Sequence, residues 1–367
     1  MATDSTIAQD SRLRVDASWL EAAIRAVFVA AGVSAEGSDR IAKSLTLADM
    51  SGVSSHGSLL VPMYIGRLRA GSISRAELGE VVVDHGAMAV IDAGNSFGHL
   101  TGAQAMGLAA DKAAASGIGM VAVRRAFHFG RASDYARIAT ERGQIGIAMA
   151  NTRPLMPAIG GAETVIGNNP LAIGVPTRGR PVMLDMATSE AALGKIRLAQ
   201  AAGRDIPPTW ATDAAGEPTT DPTAAIAGML LPTGGAKGFG LAFMIDVLTG
   251  VLSGGASGSG VQGLYADLGV PNDCAHAFIA IDPTRFGDRE GFLDRMDAFT
   301  QTIVTSRRRA GVDAIKLPGQ VEDEAVDRAA ADGILLDTAV IDQLRASAEL
   351  VGAELPELAL VAEAAQA

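Results

Sequence analysis

From about residue 100 to 190, short apolar runs alternate with segments of helical periodicity. That alternation dictates an α/β architecture, a sheet covered by helices. Residues 80–84 (EVVVD) and 88–93 (MAVIDA) are bounded by glycine and read as strands. A helix over 101–116 leads to a strand at 118–123, and a helix over 132–143 to a strand at 145–150. Further strands fit 171–176 and 181–185, followed by a helix at 189–202. Residues 204–224 are turn-rich, an apolar helix spans 238–253, a late strand 276–281 and an amphipathic helix 289–308.

The ends of the chain have a different character. Residues 17–32 and 35–52 carry apolar positions at helical spacing, with Ser34 placed to cap the second helix. Residues 57–70 read as a third helix closed by Gly71, and the tail, 322–366, is mostly helical. We expect 13–78 and 310–367 to pack as one helical domain, with an α/β domain over 79–309 that binds cofactor and substrate. Residues 1–12 are expected to be a loose tail, because they lack the basic start and apolar middle of a signal peptide.

A length of 367 residues fits two or three such units. The net charge of −11 argues against nucleic acid, which demands a basic face. The lone Cys274 allows neither an internal disulfide nor a thiolate zinc site and makes the cytoplasm the simplest setting. No apolar run approaches the ~20 residues of a membrane helix. The five histidines (56, 85, 99, 128 and 276) show no paired spacing, so no metal is expected.

Several segments could carry chemistry. Gly258, Gly260 and Gly263 spell G-x-G-x-x-G, but they follow a helix instead of a strand, which disqualifies them as a dinucleotide fingerprint. Ser55-His56-Gly57 offers a histidine that can move a hydroxyl proton and a neighbouring hydroxyl to orient it; a helix-capping pair is the plainer reading. His128-Phe129-Gly130 follows a strand and precedes a helix, where α/β sheets place ligands, or where a histidine simply caps. Asp185 ends an apolar strand and could hold an imidazolium or cap the next helix, a task Thr188 could also perform. Lys237, one of five lysines, sits among glycines at a helix start, a setting that favours anions.

Together these segments resemble the malate/L-lactate dehydrogenase family that lacks a Rossmann fold. That family includes sulfolactate and ureidoglycolate dehydrogenases and reductases of cyclic ketimines such as Δ1-piperideine-2-carboxylate. The resemblance runs from about residue 18 to 350. It is carried by SSHGSLLVPMYIGRLRAG (54–71), HFG (128–130), MANTRPLMPAIGG (149–161), GNNPLAIGVP (167–176), LDMATS (184–189), IPPTWATDAAGEPTTDP (206–222), LLPTGGAKGFGLAFMIDVLTGVLSG (230–254) and KLPGQ (316–320). It implies an α/β fold of the sulfolactate dehydrogenase type, with a central mixed sheet covered by helices and a helical unit from both termini. It further implies NAD or NADP as cofactor and a homodimer.

By position, the resemblance makes Ser55 and His56 the proton-transferring pair and Asp185 the supporting carboxylate, with His128 a competing acid/base. His128, Phe129, Gly130, Thr152, Met186, Ala187, Thr188, Lys237, Pro318 and Gly319 would hold the cofactor, and Asn168 the substrate. Many relatives carry a carboxylate-binding arginine four residues after the motif histidine, a position occupied here by Leu60. A leucine cannot form a bidentate clamp, so either another cation, Arg67 or Arg124, does that job or the substrate is held differently. The implied activity is hydride transfer between nicotinamide and C2 of a small 2-oxo or 2-hydroxy acid. The alternatives are reduction of a 2-imino acid, and an inactive relative that only binds ligand.

Overall fold

The computed structural model describes residues 12–361. The expected tail lies outside them except for Arg12, which opens the strand Arg12–Val15. The chain divides into two compact units, one comprising residues up to Ile65 and from Glu322 onward, the other Gly66–Val321.

The first unit is mainly helical. Asp16 begins the helix Ala17–Ala30 by accepting the Ser18 and Trp19 N–H groups, and Ser34 begins Ala35–Met50 by accepting that of Gly37. One face of the first helix (Leu20, Ile24, Val27, Phe28) is buried with Ile41 and Leu45 of the second and Leu344 of the helix Thr338–Val351. The strand Arg12–Val15 pairs antiparallel with Ile334–Asp337, a strand inside the tail expected to be mostly helical. The third helix also starts later than its periodicity suggests. Residues 54–56 and 58–60 form separate 3₁₀ turns, and the α-helix spans Val61–Ala70, with Pro62 in the first turn where its missing N–H costs nothing.

The second unit is built on a seven-stranded mixed sheet. Its order is Glu80–His85, Met88–Asp92, Ile118–Ala126, Cys274–Ile281, Ile145–Ala150, Leu171–Val175, Val182–Met186. Only Met88–Asp92 and Ile118–Ala126 run parallel, joined by the crossover helix Gly98–Ser116. That helix and Ser133–Glu141 cover one face, where more than half of the buried apolar residues are alanines. Ile245, on the helix Ala236–Asp246, packs on the other face with Met149 and Ala277.

Two helices differ from expectation. The segment expected at 189–202 begins only at Leu193, because Ser189 bridges to Pro232 and the Glu190 N–H bonds the Leu231 carbonyl. The segment expected at 238–253 is α-helical over Ala236–Asp246 and then widens into a π turn over Val247–Val251. The buried Asp246 at that junction accepts from Asn151 Nδ2 and the Gly258 N–H. The 204–224 stretch contains a short strand, Ala211–Thr212, and ends in the helix Pro222–Ala227.

Candidate active site

Strand register puts several candidate segments at one end of the sheet. Cys274 lies opposite Ala126, His276 opposite Ala150, and Leu171 opposite both Met149 and Met186. The loops 127–131, 151–153, 167–170 and 187–189 therefore leave the sheet at the same edge.

Local bonds draw them closer. Thr152 Oγ1 donates to Asn168 Oδ1 at 3.1 Å, and the Thr152 N–H donates to Asn169 Oδ1 at 2.9 Å. A Cβ on Gly167 would lie 2.2 Å from Thr152 Oγ1, so only glycine permits this approach. Asn169, fully buried, passes its amide to the Ala242 carbonyl at 2.9 Å. The Thr188 N–H bonds the Asn168 carbonyl, and the Thr188 carbonyl accepts from Thr233, which brings in the turn leading to Lys237. Pro318 and Gly319 meet the same strand further from these loops, where the Pro318 carbonyl accepts the Met183 N–H and Gly319 packs against Met183.

Phe129 is held from behind. Its ring stacks on His276 at 4.4 Å and on Tyr135 at 4.8 Å, and the Tyr135 hydroxyl donates to its carbonyl. Burial pushes the His276 imidazole down to about 3, so it serves as a neutral aromatic plate. Cys274 Sγ lies 3.4 Å from its Nε2, and burial pushes that thiol upward, leaving it unreactive. Neither residue stood out in the sequence beyond the histidine and cysteine counts.

Asp185 accepts the Ser133 N–H at 2.9 Å and so caps the helix Ser133–Glu141, not the helix that follows it in sequence. Solvent reaches its side chain, yet the surrounding protein desolvates the carboxyl enough to raise its pKa. Thr188 caps no helix; its Oγ1 is buried without a hydrogen-bond partner among the described residues.

In the helical unit, Ser55 Oγ lies 3.0 Å from His56 Nδ1 on an accessible 3₁₀ turn. Beneath this turn sits a carboxylate that the sequence reading missed. Asp49, 8% exposed, accepts the Ser58 N–H at 2.8 Å, and a Cβ on Gly57 would fall 2.1 Å from its Oδ1. Burial pushes Asp49 up to about 6, against the lowering effect of the Ser58 bonds. A raised acid pKa means that the folded state binds the proton more tightly. The stabilisation is therefore full below the unfolded value near 3.8 and lost as pH rises through about 6. Asp49→Asn removes this dependence. Between pH 5 and pH 8 the wild type is expected to lose about 1.5 kcal/mol relative to the variant in urea titrations. A difference that stays constant across that range would show that Asp49 does not titrate there.

The expected cations for the substrate need correcting. Arg67 is fully buried, and its guanidinium is consumed by the carbonyls of Gly263, Leu264 and Val270 and the Ser72 hydroxyl. It anchors the loop that carries the glycine triplet and offers nothing to a ligand. Arg124 shares Asp92 with Arg125, so its charge is already engaged. Leu60 itself is 3% exposed.

Comparison with known proteins places this geometry. A family model described as malate/L-lactate dehydrogenase matches residues 15–345. The chain is 37% identical over 325 residues to an L-sulfolactate dehydrogenase of Methanothermobacter thermautotrophicus, covering 88% of this chain and 92% of that protein. Among solved structures, sulfolactate dehydrogenase from Methanocaldococcus jannaschii superposes with a TM-score of 0.89 at 35% identity, over 94% of this chain and 98% of that one. Δ1-Piperideine-2-carboxylate reductase from Pseudomonas syringae pvar. tomato superposes with a TM-score of 0.78 at 28% identity, over 91% and 99%. The chain belongs to the malate/L-lactate dehydrogenase family, and with it to the NAD(P)-dependent dehydrogenases of small hydroxy acids.

Proposed function

We propose that the protein interconverts a small 2-oxo acid and its 2-hydroxy acid, with His56 as the proton-transferring group. The observation that carries this reading is the gathering of Thr152, Asn168 and Met186–Thr188 at one sheet edge, tied through Thr188 to the turn before Lys237. The residues there suit a dinucleotide. Thr188 offers a buried, unpartnered hydroxyl, and Lys237 stands in the first turn of a helix, whose free N–H groups favour anions. When bound, NAD(P)H supplies the hydride.

The chain's own residues supply the rest. The Ser55 hydroxyl engages His56 Nδ1, and the imidazole gives a proton to the forming C2 hydroxyl and takes it back in oxidation. Asp185, by accepting the Ser133 N–H, fixes the start of the helix that follows the 127–131 loop. Asn168 orients the acid, and Phe129, braced by His276 and Tyr135, gives the cofactor a fixed wall. We also propose a cytoplasmic homodimer. Pairing is supported by exposed Phe243, Met244, Val251 and Leu252 on the helix from Ala236 and its continuation.

The test is oxidation of NADH and NADPH against a panel of 2-oxo acids, each with and without methylamine, together with the cyclic ketimines. Turnover of an oxo acid alone is the expected result. Turnover only of ketimines, or only with amine present, would replace this reading with imine reduction, the activity named for the Pseudomonas structure.

A further inference from the structure

The acid group of the proposed substrate needs a cation, and Arg67 and Arg124 are already engaged elsewhere. Two other arginines are available. Arg153 directly follows Thr152, whose hydroxyl holds Asn168. Its stem lies on Gly263, where a Cβ would come within 3.0 Å of Cδ and 3.5 Å of Nε. The Gly263 and Leu264 carbonyls beside it are pinned by Arg67, so this floor is fixed. Arg197 sits on the helix Leu193–Ala201, whose Ile196 shares a buried cluster with Met156 and the adjoining Leu155, and its charge acts on both Arg153 and the Tyr265 hydroxyl.

Among the described residues, neither Arg153 nor Arg197 makes a side-chain hydrogen bond or an ion pair. Burial, then the Arg197 charge, lower the Arg153 pKa, although solvent still reaches the side chain. Arg153 and Arg197 are both exposed, and two like charges without a counter-charge make a positive patch open to an anion. Guanidinium groups are the side chains best shaped to take a carboxylate or sulfonate in two parallel bonds.

Resting on the function proposed above, we infer that Arg153 and Arg197, with Tyr265 beside them, form the anion-binding side of the substrate site and select 2-oxo acids through an acid group. Arg153 adjoins Thr152, whose hydroxyl holds Asn168, the residue that orients the acid.

The experiment compares wild type with Arg153→Gln, Arg197→Gln and Arg153→Lys, using two readouts on the full chain. The first is the KM of the best 2-oxo acid from the panel. The second is calorimetric binding of oxalate to the protein saturated with NADH. Each Gln variant is expected to raise KM and weaken oxalate about ten- to a hundredfold, with Arg153→Lys recovering part of the loss. The Kd for NADPH, read by fluorescence, should stay within about twofold in all of them. Unchanged KM and oxalate binding in variants with wild-type circular dichroism would overturn the inference while leaving the dehydrogenase reading intact. A rise in the NADPH Kd, with acid binding unchanged, would overturn it in favour of a cofactor phosphate site. If wild type reduces no oxo acid yet oxalate binding depends on Arg153, the anion site stands and the functional reading falls.

Discussion

Replacing His56 by asparagine is expected to lower kcat for 2-oxo acid reduction about 10²–10⁴-fold while leaving the Kd for NAD(P)H within about twofold. The range is what a positioned acid or base contributes to a proton transfer. Asparagine keeps much of the size and polarity of the ring but cannot carry the proton. It can still meet Ser55, whose hydroxyl lies 3.0 Å from Nδ1, so the turn should keep its shape. The parallel variant, His128→Asn, addresses the competing assignment. His128 immediately precedes the braced Phe129, and its replacement is expected to weaken cofactor binding more than it slows the chemical step. Near wild-type turnover by His56→Asn at saturating substrate would remove His56 from the mechanism. A kcat loss confined to His128→Asn would transfer the role to that residue.

Arg67→Met is expected to cost about 3–5 kcal/mol of stability, read as a lower midpoint in urea at unchanged slope. The side chain is fully enclosed and makes four hydrogen bonds, three to carbonyls nearly two hundred residues away. Methionine fills the volume but leaves those carbonyls without donors. Lysine should rescue little, because a single ammonium cannot reproduce the fork that spans Gly263, Leu264 and Val270. Burial lowers the Arg67 pKa, with Asp267 opposing, which agrees with a cation held mainly by carbonyl dipoles. A loss below about 1 kcal/mol would mean that the loop is anchored by other contacts.

The sheet was largely legible in the sequence because its strands are apolar runs with sharp glycine boundaries, as at 79–94. Helix starts were legible where a side chain caps them, as at Ser34. They were misplaced where distant segments compete for the same backbone: nothing local to Ser189 and Glu190 announces that residues 231–232 will claim them. The π turn after Asp246 was equally hidden, because its cause is a carboxylate reaching Asn151 and Gly258. For the candidate site, the individual segments were visible, and the resemblance assigned their roles. What could not be read was which cations are already spent. Arg67 and Arg153 look alike in the sequence; one is committed to carbonyls and the other to no side-chain partner among the described residues. Asp49 escaped notice because its partner, Ser58, lies beyond a loop whose folding back depends on Gly57.

The alanine-lined interface between the sheet and its two helices has a consequence for how this enzyme responds to mutation. Where a core is made of leucine and phenylalanine, trimming side chains opens cavities and reveals what matters. At this interface more than half of the positions have nothing left to trim, so a conventional alanine scan would pass over them in silence. The vulnerability lies in the opposite direction. One added methylene at Ala109, Ala136 or Ala148 must push a helix off a strand, at about 1–3 kcal/mol each. Substitution at this interface should therefore do damage chiefly by enlarging residues, and a valine or leucine scan is its informative map.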